Sequence, residues 1–209
     1  MPPDTAAPDP AARRAQLLDA ADRVIRRHGP DASMTAIAAE AGITKPILYR
    51  HFGDKSGLYR ALAERYAAPV FTELSTVLST LTDRQQRMRV TIDTYLRFIE
   101  ERPEPYRFLM HRALREQPDV ASSIAAFTSV VAAGIAEILT REIGLAESQT
   151  SSARAWAHGI VGVVQLTGDW WLQTQEMSRA KLVDHLAALL WNGLSGLTRD
   201  SEEVRNLVE

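Results

Sequence analysis

Gly42 stands between two short runs whose apolar residues recur at helical spacing, and this break restricts the fold more than any other feature of the chain. The segment from Ser33 to Tyr66 reads SMTAIAAEAGITKPILYRHFGDKSGLYRALAERY. A first helix is predicted from Met34 to about Ala41, with Ser33 as N-cap and Ile37, Ala38 and Ala41 on its buried face. Gly42 accepts the left-handed conformation that ends a helix, and Ile43 fills the corner. Thr44 is placed to cap the second helix, Pro46 falls in its first turn where a missing N–H costs little, and Leu48 and Phe52 face inward. Lys45, Ile47, Tyr49, Arg50 and His51 are left on the free side. Two helices meeting at a glycine turn make a helix-turn-helix, and such a free side suits the major groove, where these groups meet phosphates and base edges.

A net charge of -2 looks wrong for a DNA-binding chain until it is divided along the sequence. Residues 11–66 hold ten Lys or Arg against six Asp or Glu, so the positive excess lies where the motif lies. The excess is modest, and a dimer would double it along one face of DNA. Arginine outnumbers lysine 21 to 3. With no cysteine, disulfides and thiolate metal sites are excluded, and a cytoplasmic setting is expected. No early apolar run resembles a signal peptide, and no uncharged apolar stretch reaches the roughly 18 residues needed to span a membrane.

The pattern divides into a proline-rich arm over residues 1–10, a DNA-binding domain over 11–66, a second domain over 67–200 and a tail over 201–209. The first domain opens with a helix over 11–28, with Leu17, Leu18, Ala21, Val24 and Ile25 inward, stopped by Gly29-Pro30. Another begins at Asp54 with Leu58, Leu62 and Tyr66 at i, i+4 and i+8, and Pro69 is expected to kink or end it. Beyond residue 70 every periodic segment is helical, with helices predicted over 70–80, 84–101, 104–115, 119–143, 150–175 and 179–198. The fold class is therefore all-α: a three-helix helix-turn-helix domain followed by a larger helical domain.

Residues 150–175 carry two adjacent apolar stripes: Trp156, Ile160, Val163, Thr167 and Trp170, and Ala157, Val161, Val164, Gly168 and Trp171. The helix over 179–198 repeats the feature. Arcs this wide either bury both helices inside the domain or give one side to the core and one to a second chain. The second reading is favoured, because the glycines allow close approach and a palindromic operator calls for a two-fold protein. Val161, Val164, Gly168, Leu186, Leu190 and Leu194 are the expected dimer seam. His158, Gly162, Gln165 and Asp169 form a polar stripe that either bonds to neighbouring helices or orients a ligand. Tyr95, Phe98, Phe108, Phe127, Trp156 and Trp170 are core or pocket wall, and His111 is a satisfied core residue or a ligand contact. With Gln165 and Asp169 these are the candidate ligand residues.

Enzymatic chemistry finds no support. There is no glycine-rich phosphate loop, no nucleophile elbow, and no His or carboxylate cluster with metal spacing, so no cofactor or metal is expected.

The run T-A-I-A-A-E-A-G-I-T-K-x-x-L-Y-R-H-F-x-D-K-x-x-L from Thr35 to Leu58, preceded by an amphipathic helix ending in Arg27, His28 and Gly29, resembles the tetracycline-repressor (TetR) family of bacterial regulators. The resemblance covers about the first 65 residues and implies an all-helical layout beyond them, with a four-helix dimer interface. By this likeness Thr44, Lys45, Tyr49 and His51 match positions that touch DNA, Lys55 matches a phosphate-binding position, and Thr35 can anchor a backbone phosphate. Pro46 departs from the glycine often found there, so a backbone N–H donor is missing. Two functions are implied. One is a repressor that binds operator DNA as a homodimer and is released by a small apolar or amphipathic effector. The other is a constitutive DNA-binding protein without an effector.

Overall fold

A computed structural model describes residues 9–145 and 149–206, without the side chains of Leu114, Asp119, Ser123 and residues 194–206. Among the described residues every regular element is helical. In chain order these are α1 (Pro10–His28), a 3-10 turn (Gly29–Asp31), α2 (Met34–Glu40), α3 (Lys45–Phe52), α4 (Lys55–Thr80), α5 (Arg84–Glu101), α6 (Pro103–Arg107), a π-helical segment (Phe108–Ala113), α7 (Leu114–Glu116), α8 (Pro118–Ile143), α9 (Thr150–Thr174) and α10 (Arg179–Asn206). The chain forms two compact units, one of residues up to Ala67 with Arg102–Ile124, the other of Ala68–Glu101 with the chain from Ala125 onward.

Local chemistry sets the ends of the first helices. The Asp9 carboxylate accepts from the Ala11 N–H at 3.2 Å to start α1, and Arg26, Arg27 and His28 occupy its last turn, where cations complement the helix dipole. Ser33 Oγ accepts from the Ala36 N–H at 3.1 Å to start α2. Gly42 has φ 67°, and Ile43 N–H donates back to the Ala38 carbonyl at 3.0 Å, closing the turn. Thr44 stands at the N-cap of α3 with extended backbone, but its hydroxyl makes no capping bond, contrary to the sequence expectation. Asp54 supplies that service for α4, its Oδ1 accepting from Gly57 N–H at 2.8 Å.

In the first unit Leu17, Leu18, Ala21, Val24 and Ile25 of α1 are buried with Ile37, Leu48, Phe52, Leu58, Tyr59 and Leu62, as the periodicity requires. Arg23 and Arg27 both pair with Glu40, tying α1 to α2, and the Tyr66 hydroxyl donates to Asp22 at 2.7 Å. Burial and that bond push the Tyr66 phenol well above its ordinary range. The segment from α6 to α7 completes this core, with Tyr106, Phe108, Leu109 and Ala113 buried and Phe108 set edge-on to Tyr59 at 4.9 Å.

In the second unit α5 packs against α9 and α10. A methyl group on Gly168 would stand 3.1 to 3.2 Å from Ile99, Leu96 and Tyr95, so α9 lies as near to α5 as the missing side chain allows. Ala132, Ala136 and Leu139 of α8 meet Ala153 and Ala157 of α9, with Trp156, Ile160 and Val161 packed against them. The fully buried Trp171 donates its indole N–H to the Met177 carbonyl at 2.7 Å, closing the turn into α10. Arg179 then joins α10 to Asp93 and Glu100 of α5.

Three boundaries differ from the sequence reading. Pro69 does not end its helix, because α4 continues to Thr80 with the proline inside it; one missing hydrogen bond is outweighed by the turns on either side. The last helix runs to Asn206 rather than stopping near 198, in keeping with the helix formers Glu202, Glu203 and Arg205 and no proline or glycine after Gly196. Only residues 9 and 10 of the proposed arm and 201–206 of the proposed tail are described, and Pro10 is already helical. Among the described residues Val120–Ile143 is long and apolar enough to cross a membrane, and 18% of its apolar window is buried. Counting uncharged residues alone misses it, since Glu137 interrupts the run.

Candidate nucleic-acid interface

The α3 helix presents one face to the core and one to solvent. Leu48 and Phe52 are buried, and the Arg14 guanidinium covers the Phe52 ring at 4.9 Å, so the helix is held from behind. Thr44, Lys45, Pro46 and Arg50 are exposed, with Tyr49 and His51 half-buried beside them. Thr35, the second residue of α2, is exposed as well. Among the described residues neither Lys45 nor Arg50 forms an ion pair, which leaves both charges available to an anion. The arrangement is a rigid short helix displaying two cations, a phenol, an imidazole and a hydroxyl on a buried footing.

Lys55 is placed differently. It opens α4, its ammonium lies 2.6 Å from Glu116 Oε2, and it stands 5.5 Å above the centre of the Tyr59 ring. Glu116 also accepts from Arg112 Nε at 3.1 Å. Arg112 in turn donates to the carbonyls of Pro30, and of Ala32 at 2.9 Å, just ahead of the α2 cap. Lys55 and, secondarily, Arg112 hold the Glu116 carboxyl below the usual carboxylate range. Sequence reading missed Arg112 and Glu116. Their i, i+4 spacing is visible, but it reads as an ordinary surface pair, and nothing local links position 116 to position 55. Gly57 was missed too: a methyl group there would overlap the Phe52 carbonyl oxygen, so only glycine lets α4 start so close to the end of α3.

The candidate ligand residues fall into both units. Tyr95, Phe98, Phe127, Trp156, Gln165, Asp169 and Trp170 belong to the second. Tyr95 abuts Gly168, Phe127 lies 6.4 Å from Phe71, Trp156 flanks the α8–α9 core, and Asp169 accepts from Gln173 at 3.0 Å. Phe108 and His111 belong to the first. Phe108 is fully buried there, edge-on to Tyr59, in the π-helical segment of the first unit.

The residues expected at a dimer seam differ in their exposure. Val164, Gly168 and Leu186 are buried within the chain's own core, Val161 and Leu190 are half-buried, and the Leu194 side chain lies outside the described residues. The apolar groups facing outward are Val163, Leu166 and Trp170 on α9, with Leu189 and Trp191 on α10. Both stripes of α9 are equally apolar, so composition does not separate inside from outside. The close approach at Gly168 does.

The sequence of the first unit and of the long C-terminal stretch agrees with these forms. Residues 17–62 match the family of bacterial regulatory proteins of the tetR type, and residues 73–206 match a tetracyclin repressor-like C-terminal domain. An uncharacterized HTH-type transcriptional regulator of Mycobacterium tuberculosis is 36% identical over 186 residues, covering 88% of this chain and 78% of the relative. The HTH-type transcriptional activator FasR of Mycolicibacterium smegmatis is 31% identical over 185 residues, covering 88% and 83%. The fold is shared with FadR from Bacillus subtilis, solved in complex with stearoyl-CoA, at a TM-score of 0.65 and 18% identity, over 84% of this chain and 96% of that one. The chain therefore belongs to the tetR family of bacterial transcription regulators and carries its helix-turn-helix DNA-binding fold.

Proposed function

We propose that this regulator is a repressor that binds a palindromic operator as a homodimer in the cytoplasm and leaves it when a small apolar or amphipathic molecule occupies the second unit. The observation that carries the DNA-binding half is the α3 face: Lys45 and Arg50 exposed, with no ion pair among the described residues, on a helix fixed from behind by Leu48 and Phe52. Thr44, Lys45, Tyr49, Arg50 and His51 read the groove, Pro46 offers an apolar contact, and Thr35 and Lys55 hold phosphates. The outward apolar groups of α9 and α10 form the seam between two copies. They are worth covering: Leu166 is 74% and Leu189 62% exposed in the single chain.

For the effector, Tyr95, Phe98, Phe127 and Trp156 supply apolar and aromatic wall, with Gln165 and Asp169 as polar groups. The stearoyl-CoA bound by the Bacillus subtilis protein of the same fold supports an acyl chain as the first compound to try. Selection of duplexes from a random library by the purified protein will give the operator. Lys55→Ala should weaken every duplex alike and lower the salt slope by about one unit for each phosphate no longer neutralised; altered sequence preference at an unchanged slope would remove Lys55 from the phosphate. Calorimetry with stearoyl-CoA, with and without the selected duplex, tests release. Effector and DNA must weaken each other by one common factor, and equal effector affinity in both titrations leaves a constitutive DNA-binding protein.

A further inference from the structure

The ammonium of Lys55 is engaged by an anion of its own chain. Glu116 reaches it at 2.6 Å, and Glu116 is not a loose surface side chain. Its other oxygen accepts from Arg112 at 3.1 Å, and Arg112 is fastened to the carbonyls of Pro30 and Ala32. The Tyr59 hydroxyl adds a long contact at 3.4 Å, and the Tyr59 ring lies under the Lys55 ammonium. The carboxylate is thus set in place by an arginine and a phenol before it meets the lysine. Side-chain exposures of 33% for Lys55 and 36% for Glu116 keep the pair within reach of an arriving polyanion. A lysine ammonium is a compact charge on a flexible stem, so it can leave one anion for another.

We propose that Glu116 is an internal competitor for the DNA backbone at Lys55, a carboxylate that occupies the phosphate-binding lysine in the free protein and so sets operator affinity below what the helix-turn-helix alone would reach. The inference rests on the reading of Lys55 as a phosphate contact. Binding DNA then requires Lys55 to give up Glu116, and leaves a fixed anion beside the phosphates. Both effects oppose binding, and both vanish when the carboxylate becomes an amide of the same shape.

The test uses the full-length protein, Glu116→Gln, Lys55→Ala and the double variant, titrated at one salt concentration against the duplex selected by the wild type and against a random-sequence duplex. Glu116→Gln should bind both duplexes about 1.4- to five-fold more tightly per subunit, the range expected for one partly exposed ion pair. Its thermal midpoint should fall, because a stabilising pair is removed. Affinity and stability moving in opposite directions is the signature that a merely structural role would not give. In the Lys55→Ala background the gain should disappear. Weaker or unchanged binding by folded Glu116→Gln, or a gain that persists without Lys55, overturns the competitor while leaving the Lys55 reading intact. If Lys55→Ala does not weaken binding at all, that reading fails and the competitor falls with it. Should Glu116→Gln lose its circular dichroism signal, Glu116→Ala in the same titrations answers the same question.

Discussion

Position 57 admits no side chain. A methyl group there would overlap the Phe52 carbonyl oxygen, and backbone cannot step aside as a flexible side chain would. Gly57→Ala should therefore cost on the order of 1–3 kcal/mol, as other overpacked sites do, seen as a lowered urea midpoint. With Lys55 in its proposed role at the start of α4, the substitution should also weaken DNA binding. Glu116 makes a different kind of prediction. Its carboxyl is held low by Lys55 first and Arg112 after it, so the stabilisation is present above the unfolded-state pKa and is lost as pH falls through the lower folded value. Wild type should exceed Glu116→Gln in stability by no more than about 1 kcal/mol near neutral pH, a figure discounted for solvent exposure. The two should converge in acid below pH 4.5, the ordinary value for the group, as urea unfolding at the two pH values would show. Single positions such as Ser33, Gly42 and Asp54 were legible because their work is done within a few residues. Gly57 was not, since its neighbour in space is a carbonyl whose position depends on how two helices meet.

At the level of helices, periodicity located nearly every element, because a 3.6-residue apolar repeat needs no knowledge of the partner. Choosing which stripe of α9 faces which partner did need it. Gly168 against Tyr95, Leu96 and Ile99 settles the inner face. Val164→Glu should then place an unpaired charge in the chain's own core and cost several kcal/mol of stability, whereas Leu189→Glu should leave the fold intact and break the proposed dimer. Sedimentation and thermal unfolding together separate the two; a folded, dimeric Leu189→Glu would move the seam elsewhere. The grouping of 102–124 with the helix-turn-helix was likewise invisible in the sequence. Its buried Tyr106, Phe108 and Leu109 look, as letters, like the core of any helical domain.

For the molecule as a whole, the positive excess of residues 11–66 is small, so DNA affinity should depend strongly on the few committed cations. The slope of log affinity against log salt should reflect phosphate contacts from two subunits, each contact contributing about 0.9. Trp170, 40% exposed, should change its fluorescence on dimer dissociation, which offers a measure of assembly free of DNA. The π-helical segment Phe108–Ala113 adds a consequence of a geometric kind. A π turn holds one residue more than an α turn, so the extra residue is absorbed in a bulge while α6 on its N-terminal side and α7 on its C-terminal side keep their phase. Each residue of an α-helix advances the side-chain direction by about 100°, a swing that the bulge spares α7. Deleting Met110 should let the segment relax to α geometry with that phase unchanged, so that Glu116 still meets Lys55. The shortened protein should then bind DNA like the wild type, whereas a deletion in regular α7 should bind like Glu116→Gln, so that the bulge marks where the chain tolerates a change of one residue.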